Sequence, residues 1–262
     1  MGGYAAGVLS SSRSAASPDP LAALLELRGV AGSVVAARAG VDRLLGHRIL
    51  RQRSAEVSAE SALRGARASA ELAGASVSLA DLRSGSSAGP VVAGAVRVSA
   101  AVGELAGTWE RAPLQVLARL HVLAATGIAP RDELGRPGGQ PRTTARLAAL
   151  ANLVATGTGA PAVVLAAVVH GELRTLAPFG IGDGIIARAA ARLVLISRGL
   201  DPKALSVPEA GHLELRQDYD DALAGYASGT ADGVAAWLRH CCAAVELGAR
   251  EGLAVCEALL RG

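Results

Sequence analysis

The residues best suited to chemistry lie in a glycine-rich segment at positions 175–188, which reads TLAPFGIGDGIIAR. Its glycines, Gly180, Gly182 and Gly184, come directly before a helical pattern of apolar residues. The backbone N–H groups of such a loop, backed by the positive end of a helix dipole, form a natural site for an anion such as a nucleotide phosphate. The same pattern also fits a simple tight turn, so the glycines alone do not decide between the two.

Two common nucleotide-binding motifs do not fit this segment. In a dinucleotide fingerprint, G-x-G-x-x-G, the third glycine would fall on Ile185, and no β-strand pattern precedes the loop. A phosphate-binding P-loop needs a Gly-Lys-Ser/Thr sequence after its glycines, and none follows here. Both classes are therefore excluded.

The composition favours helices that pack closely around small aliphatic side chains. Hydrophobic residues make up 51% of the 262 residues, but aromatic residues only 2%. Such a core suits a helical bundle better than a large sheet. The sequence therefore predicts an all-α fold in which residues 131–142, rich in Gly and Pro, form a loop or a short β-hairpin.

Several residues predict where helices begin. Pro113 fits the first position of a helix, and Thr143 or Thr144 fits the cap of a later one. Ser206 and Glu209 have the spacing of a capping box. The uncharged run at 147–169 is long enough to suggest a membrane span, but TGTGAP at 156–161 interrupts it, which predicts two buried helices instead.

Charge and cysteine content exclude other functions. The net charge is only +3, and no basic cluster is interleaved with aromatic residues, so nucleic-acid binding is not favoured. Cys241, Cys242 and Cys256 form no CxxC motif and have no histidine at metal-ligand spacing. They predict reduced, buried thiols, with no metal site, in a cytoplasmic protein. Because the apolar run at 147–169 is interrupted, no membrane association is expected.

The glycine-rich segment resembles the signature of the Fic (Fido) family, HPFx(D/E)GN(G/K)RxxR. That resemblance implies a Fido-like helical bundle and, for most members, transfer of AMP from ATP to a hydroxyl group of a target protein. Residues 136–142, with Pro137, Gly138 and Arg142, resemble the family's PGxxR flap region, which guides the target segment. The similarity covers roughly residues 54–247.

A second resemblance lies upstream of the flap. Residues 68–74, with Ser69, Ala73 and Gly74, resemble the family's inhibitory helix, (S/T)xxxE(G/N). The inhibitory glutamate, which pairs with the second motif arginine in the family, is replaced by Ala73. Residues 1–20, rich in Gly, Ser and Ala, are expected to form a disordered lead. The resemblance implies an N-terminal helical region at 21–110 with a degenerate inhibitory helix, and a Fido-like core at 111–262.

Four motif positions depart from the family pattern in ways that remove its chemistry. The general-base histidine is replaced by Ala177, which cannot take a proton. The acidic residue that holds Mg²⁺ is replaced by Ile181, which offers no oxygen ligand. The asparagine is Asp183, a negative charge where phosphate oxygens would lie, and the first arginine is Ile185.

The retained motif residues are those that shape the loop and the start of its helix. Gly182, Gly184 and Arg188 are the candidates for binding an anion or a nucleotide. Arg188 is expected to pair with Asp183 or another acid, or else to contact an anion. His170 is either a core histidine or a substitute base. Glu172 and Asp183 are candidate metal ligands only if the protein is a transferase with altered chemistry.

Three functions follow as alternatives. The first is a pseudoenzyme that needs no cofactor and acts by binding a protein partner or, weakly, a nucleotide. The second is an active transferase of the adenylyltransferase type with altered chemistry, which would use ATP and Mg²⁺ or another donor. The third is a homo-oligomeric structural protein.

Overall fold

A computed structural model describes residues 19–85 and 89–261 of the chain. Most of the predicted disordered lead, up to residue 18, lies outside the described residues. A short 3-10 helix, Ala22–Glu26, precedes eleven α-helices in the described part. In chain order they are α1 (Val30–Leu45), α2 (Leu50–Leu72), α3 (Leu79–Ser84), α4 (Pro90–Trp109), α5 (Pro113–Ala125), α6 (Pro141–Thr156), α7 (Ala162–Leu176), α8 (Asp183–Ser197), α9 (Pro208–Glu214), α10 (Arg216–Ser228) and α11 (Ala231–Arg261).

The all-α prediction is confirmed, and the predicted flap is a loop. Residues 131–140 form turns and extended chain, and no β-strand occurs in the residues described. Proline occupies the first turn of α4, α5, α6 and α9, where its missing N–H removes no helical hydrogen bond. The helix starting at Pro113 is thus confirmed, whereas α6 begins at Pro141, ahead of the threonines predicted to cap it.

The centre of the bundle is α8, which packs against α2, α4, α5 and α7. Almost every residue of its first ten is buried, including Arg188 and Arg192. The long helix α11 packs against α1, α7, α9 and α10. The glycine-rich loop therefore opens a buried central helix, and α11 closes the opposite side of the bundle.

Two glycines bring α9 into backbone contact with α11. A Cβ atom at Gly211 would lie 2.1 Å from the Ala244 carbonyl oxygen, and one at Gly248 would lie 2.5 Å from the carbonyl carbon of Val207. Real Cβ atoms do not approach so closely, so no larger residue fits at either position. This contact fixes the position of α9, which carries His212, against α11.

The apolar run at 147–169 is interrupted as predicted, since α6 ends at Thr156 and α7 begins at Ala162. In the part of the chain that the structure describes, one helix, α4, is long and apolar enough to cross a membrane by length and composition alone. It packs against α2, α5 and α8, and its Arg97 donates hydrogen bonds to the carbonyls of Leu123 and Thr126 at 2.9 Å. These contacts fit a helix of the bundle.

The predicted capping box at the start of α9 is wrong. Val207 occupies the N-cap position and makes no side-chain cap. The Ser206 hydroxyl instead donates to Asp201 Oδ2 at 2.6 Å, and Glu209 accepts a hydrogen bond from Arg192 at 3.1 Å. Both side chains bond to charged residues outside the local segment. A rule based on local spacing does not take such partners into account. The prediction of reduced, buried cysteines is confirmed, since all three are free and buried.

Candidate functional site

The glycine-rich loop spans residues 177–182 between α7 and α8. Ala177 caps the end of α7 in the left-handed conformation, with φ 41° and ψ 57°, and its side chain is exposed. Gly182 forms the N-cap of α8 with φ 75°. Glycine adopts that conformation without strain, whereas alanine does not. The exposed mouth of the loop therefore carries only a methyl group at the position of the family's base.

Ile185 lies on the inner side of α8 rather than at the loop. It is 3% exposed and lines a cavity of about 10 Å³ together with Val98 and Val102 of α4. Its side chain is part of the hydrophobic core. Ile181 is half-buried in the loop itself. Neither position offers a charged or oxygen-bearing group to a phosphate or a metal.

Asp183 places a carboxylate inside the loop. Its Oδ1 accepts a hydrogen bond from the Phe179 N–H at 3.1 Å, while Oδ2 is buried and has no hydrogen-bond partner among the described residues. Burial raises the pKa of Asp183, although the backbone hydrogen bonds and the nearby Arg174 act in the opposite direction. The charge that the sequence places in the phosphate position is therefore held within the first turn of α8.

Arg188 is buried and bound to α2. Its Nε donates to Ser69 Oγ at 2.9 Å and its Nη2 donates to the Ser69 carbonyl at 2.8 Å. The expected ion pair with Asp183 or another acid is wrong for the residues described, where Arg188 forms no salt bridge. At the end of α2, Ser69 offers Arg188 a hydroxyl and a carbonyl rather than a carboxylate.

The degenerate inhibitory segment is hydrogen-bonded to the motif through Ser69. Ser69 is 5% exposed and contacts Arg188, whereas Ala73 is the exposed C-cap of α2 and Gly74 follows it in the turn. A Cβ atom at Gly74 would meet nothing within 4 Å. The structure brings Ser69 into the site and leaves Ala73 and Gly74 outside it.

The flap is bonded to the glycine-rich loop. The Gly138 N–H donates to the Pro178 carbonyl at 2.7 Å. The Gly135 N–H donates to His121 Nδ1 at 2.9 Å, and the His121 ring stacks on Phe179 with 4.4 Å between centroids. Pro137 and Arg142 are exposed, the latter in the first turn of α6. A backbone hydrogen bond and the His121 side chain thus hold the flap in place.

His121 and Arg174 are site residues that sequence reasoning missed. His121 is 1% exposed, and its Nε2 has no partner among the described residues. A Cβ atom at Gly184 would lie 3.3 Å from Arg188 Nη1 and 3.8 Å from Arg174 Nη1, so both guanidinium groups flank the first turn of α8. Arg174 lies one residue before the glycine-rich segment, a position close enough in sequence to have been considered.

His170 and Glu172 on α7 are occupied by other contacts. His170 is 1% exposed and shares a 2.8 Å hydrogen bond with the Tyr219 hydroxyl. Glu172 accepts hydrogen bonds from Arg146 at 2.7 Å and from Tyr226 at 2.9 Å. A target hydroxyl in solvent cannot reach the buried imidazole, so the core interpretation of His170 fits the structure better than that of a substitute base.

One cluster of metal-ligating side chains was not foreseen. His170, His212 and Cys241, from α7, α9 and α11, have ligand atoms that all lie within 4.8 Å of one another. They are far apart in sequence, so their spacing gave no signal. The cluster lies in the buried interior of the bundle, next to Arg188.

No family model and no curated protein matches the sequence. The structure is similar to the crystal structure of a Fic family protein from Desulfovibrio desulfuricans G20, with a TM-score of 0.68. The match covers 85% of this chain and 74% of that chain, at 20% sequence identity. At that identity the likeness is one of fold, and the site must be judged from its own residues. The chain has the fold of Fic family proteins.

Proposed function

We propose that this chain is a Fic-fold protein that does not transfer AMP and that acts by binding a protein partner. The observation that carries the proposal is the buried Asp183 carboxylate in the first turn of α8, with one oxygen unpartnered in the described residues. A helix N-terminus in this fold is where an anion would be held. Here the protein supplies its own anion at that position.

The loop also lacks the groups that would drive transfer. Ala177 has no proton acceptor and Ile181 no metal ligand. General-base catalysis contributes about 10²–10⁴-fold to a rate, and one electrostatic stabiliser about 10²–10³-fold. Loss of both, together with the first motif arginine, is expected to remove measurable transfer.

Nucleotide binding is expected to be weak or absent for a related reason. A triphosphate at the start of α8 would approach the Asp183 carboxylate, and Arg188 is already bound to Ser69. Only Arg174 remains as a nearby guanidinium whose Nε lacks a partner among the described residues. We expect a dissociation constant for ATP in the millimolar range or above.

The flap supports a binding role rather than target capture for transfer. Its Gly138 N–H is bonded to Pro178 and is therefore not free for the backbone of an incoming segment. We also propose that the protein is cytoplasmic and needs no cofactor. Residues 21–110 form a region distinct from a core at 111–262 in this proposal. A partner would be identified by capture of the full chain followed by mass spectrometry.

The test of the proposal is direct. The full chain is incubated with ATP, Mg²⁺ and cell lysate or a candidate target, and each protein is weighed by intact mass spectrometry. We expect no AMP adduct, and no heat of ATP binding at micromolar protein. A stoichiometric adduct would overturn the proposal.

The second candidate is an active transferase with altered chemistry. One observation favours it: the Arg174 guanidinium lies beside Gly184, where it flanks the first turn of α8. An adduct from another nucleotide donor that disappears in Arg174→Ala but persists in Arg131→Ala, an exposed control, would support it. The third candidate, a homo-oligomer, is tested by light scattering.

A further inference from the structure

Three helices meet at a cluster of imidazole and thiol groups in the core. His170 of α7, His212 of α9 and Cys241 of α11 are 1%, 5% and 4% exposed. Their ligand atoms lie within 4.8 Å of one another. Metal–nitrogen bonds of about 2.0 Å and metal–sulfur bonds of about 2.3 Å would need these atoms to move closer by about 1 Å, which small side-chain rotations supply.

Both histidines are oriented by a second hydrogen bond. His170 Nε2 lies 2.8 Å from the Tyr219 hydroxyl, and His212 Nδ1 lies 3.1 Å from His240 Nε2. Each histidine thus has one ring nitrogen bonded to a neighbour, while the other, Nδ1 of His170 and Nε2 of His212, makes no hydrogen bond with the described residues. Histidines that bind metals are held in this way, with the outer N–H donated to a second residue.

Binding of an ion would convert the Cys241 thiol to a thiolate. The metal–sulfur bond replaces the S–H bond, and the proton passes to solvent.

Charge balance selects the kind of ion. Arg188 lines the same small cavity as the three ligands, and the Arg192–Glu209 ion pair beside the cluster is neutral as a unit. A monovalent ion with one thiolate adds no net charge to this buried region. A divalent ion would add a positive charge next to Arg188, which a low-dielectric interior opposes.

The space is also limited. The cavity next to the cluster has a volume of about 20 Å³, which holds about one water molecule. A three-coordinate ion with soft sulfur and imidazole ligands therefore fits better than one with a larger shell. Monovalent copper prefers such ligands.

We propose that His170, His212 and Cys241 bind one monovalent copper ion in the core, next to Arg188. The site is separate from AMP transfer and does not depend on the function proposed above. Because the ligands are buried, the ion would enter during folding or through transient opening of α9.

The proposal is tested with the reduced full chain under anaerobic conditions. The chain is refolded with copper(I) delivered from a competing chelator, and metal content, near-ultraviolet absorption of the thiolate–copper bond and melting temperature are measured. We expect one equivalent of copper(I) and a higher melting temperature. Cys241→Ser is expected to lose the absorption band and at least about 100-fold in affinity, while Cys242→Ser, its buried neighbour, keeps both.

Two further variants keep the test decisive if Cys241→Ser does not fold. His212→Gln removes a ligand. Tyr219→Phe keeps all three ligands but removes the hydroxyl that bonds to His170 and also contacts Arg188, and it is expected to lower copper affinity about 10–100-fold. A folded wild-type chain that binds no copper(I), binding that survives Cys241→Ser, or binding of zinc(II) in preference to copper(I) would each overturn the proposal.

Discussion

Arg188 and Ser69 are joined by two hydrogen bonds across 119 residues of sequence. The contact brings the end of α2 onto the central helix and satisfies a guanidinium that is only 4% exposed. The hydroxyl and the carbonyl are uncharged, so this contact does not neutralise the guanidinium. Burial lowers the pKa of Arg188, while Tyr219 and the Glu209 carboxylate act to raise it.

Ser69→Ala is expected to lower the free energy of unfolding by about 1–3 kcal/mol, because it leaves the buried Arg188 Nε without an acceptor. The change is measured by urea denaturation. The matched control is Ser58→Ala on the same helix, half-buried, which is expected to change stability by less than about 0.5 kcal/mol. Equal effects of the two substitutions would contradict a structural role for the Ser69–Arg188 contact.

Restoring the family's motif residues is expected to destabilise the protein at position 185 but not at position 177. Ile185→Arg places a guanidinium among Val98, Val102 and the rest of the core, and is expected to destabilise the chain by about 3 kcal/mol or more. Ala177→His is exposed, and histidine tolerates the left-handed conformation, so its effect stays within about 0.5 kcal/mol. Both are measured by chemical denaturation.

The control for Ile185→Arg is Ile128→Arg, since Ile128 is 39% exposed. We expect it to leave the free energy of unfolding nearly unchanged. If Ile185→Arg were as mild as this control, position 185 would face the loop rather than the core, and the reason given for the missing phosphate contact would be wrong.

Asp183→Asn is expected to stabilise the protein at pH 7. Burial raises the pKa of Asp183 above its ordinary value of 3.8, so the folded state binds the proton more tightly than the unfolded state does. The free energy of unfolding therefore falls as the pH rises from 3.8 through the folded-state pKa. The neutral amide avoids this loss, so the advantage of Asp183→Asn is expected at pH 7 and disappears near pH 3.

The measurement is a denaturant titration at both pH values, with exposed Asp132→Asn as the control. The control is expected to match the wild type at each pH. A variant Asp183→Asn that is no more stable than the wild type at pH 7 would show that the carboxylate is well solvated or well paired.

Ala177→Gly is expected to raise the free energy of unfolding by about 0.5–1 kcal/mol, since φ is 41° at this position and glycine lacks the Cβ strain. Ala148→Gly, exposed within α6, is expected to lower it by about 1 kcal/mol. Thermal denaturation of the pair gives opposite shifts in Tm. Shifts of the same sign would contradict the left-handed conformation of Ala177.

His121→Ala is expected to loosen the flap, because the Gly135 N–H loses its acceptor and Phe179 loses the stacked ring. Hydrogen exchange at Gly135 is expected to rise, while exchange inside α8 stays slow. The control is His47→Ala, between α1 and α2, which leaves the flap untouched. Unchanged exchange at Gly135 would show that other contacts hold the flap.

What the sequence predicted well is what short stretches of chain decide. Proline at position 113, the TGTGAP interruption and the glycines at 180–184 each act on their own neighbours, and the helix boundaries followed from them. The resemblance in the loop also predicted the fold, which the similarity to a Fic family structure supports. These signals need no knowledge of the rest of the chain.

The contacts that define the site join residues far apart in sequence. Ser69 meets Arg188, His121 meets the flap, and His212 meets Cys241 only because helices cross. Pattern rules fail there because a side chain takes the best partner in three dimensions, as Ser206 did with Asp201. The degenerate positions are visible in sequence, but what replaces their contacts is not.

The hydrogen bond from Gly138 to Pro178 has a further consequence for how the chain behaves in a crowded solution. A loop with free backbone donors is a template on which another chain can add a strand, and such edges promote aggregation. The Gly138 N–H is already bonded within the molecule. It is therefore not available to pair with an extended segment of another chain at the mouth of the loop.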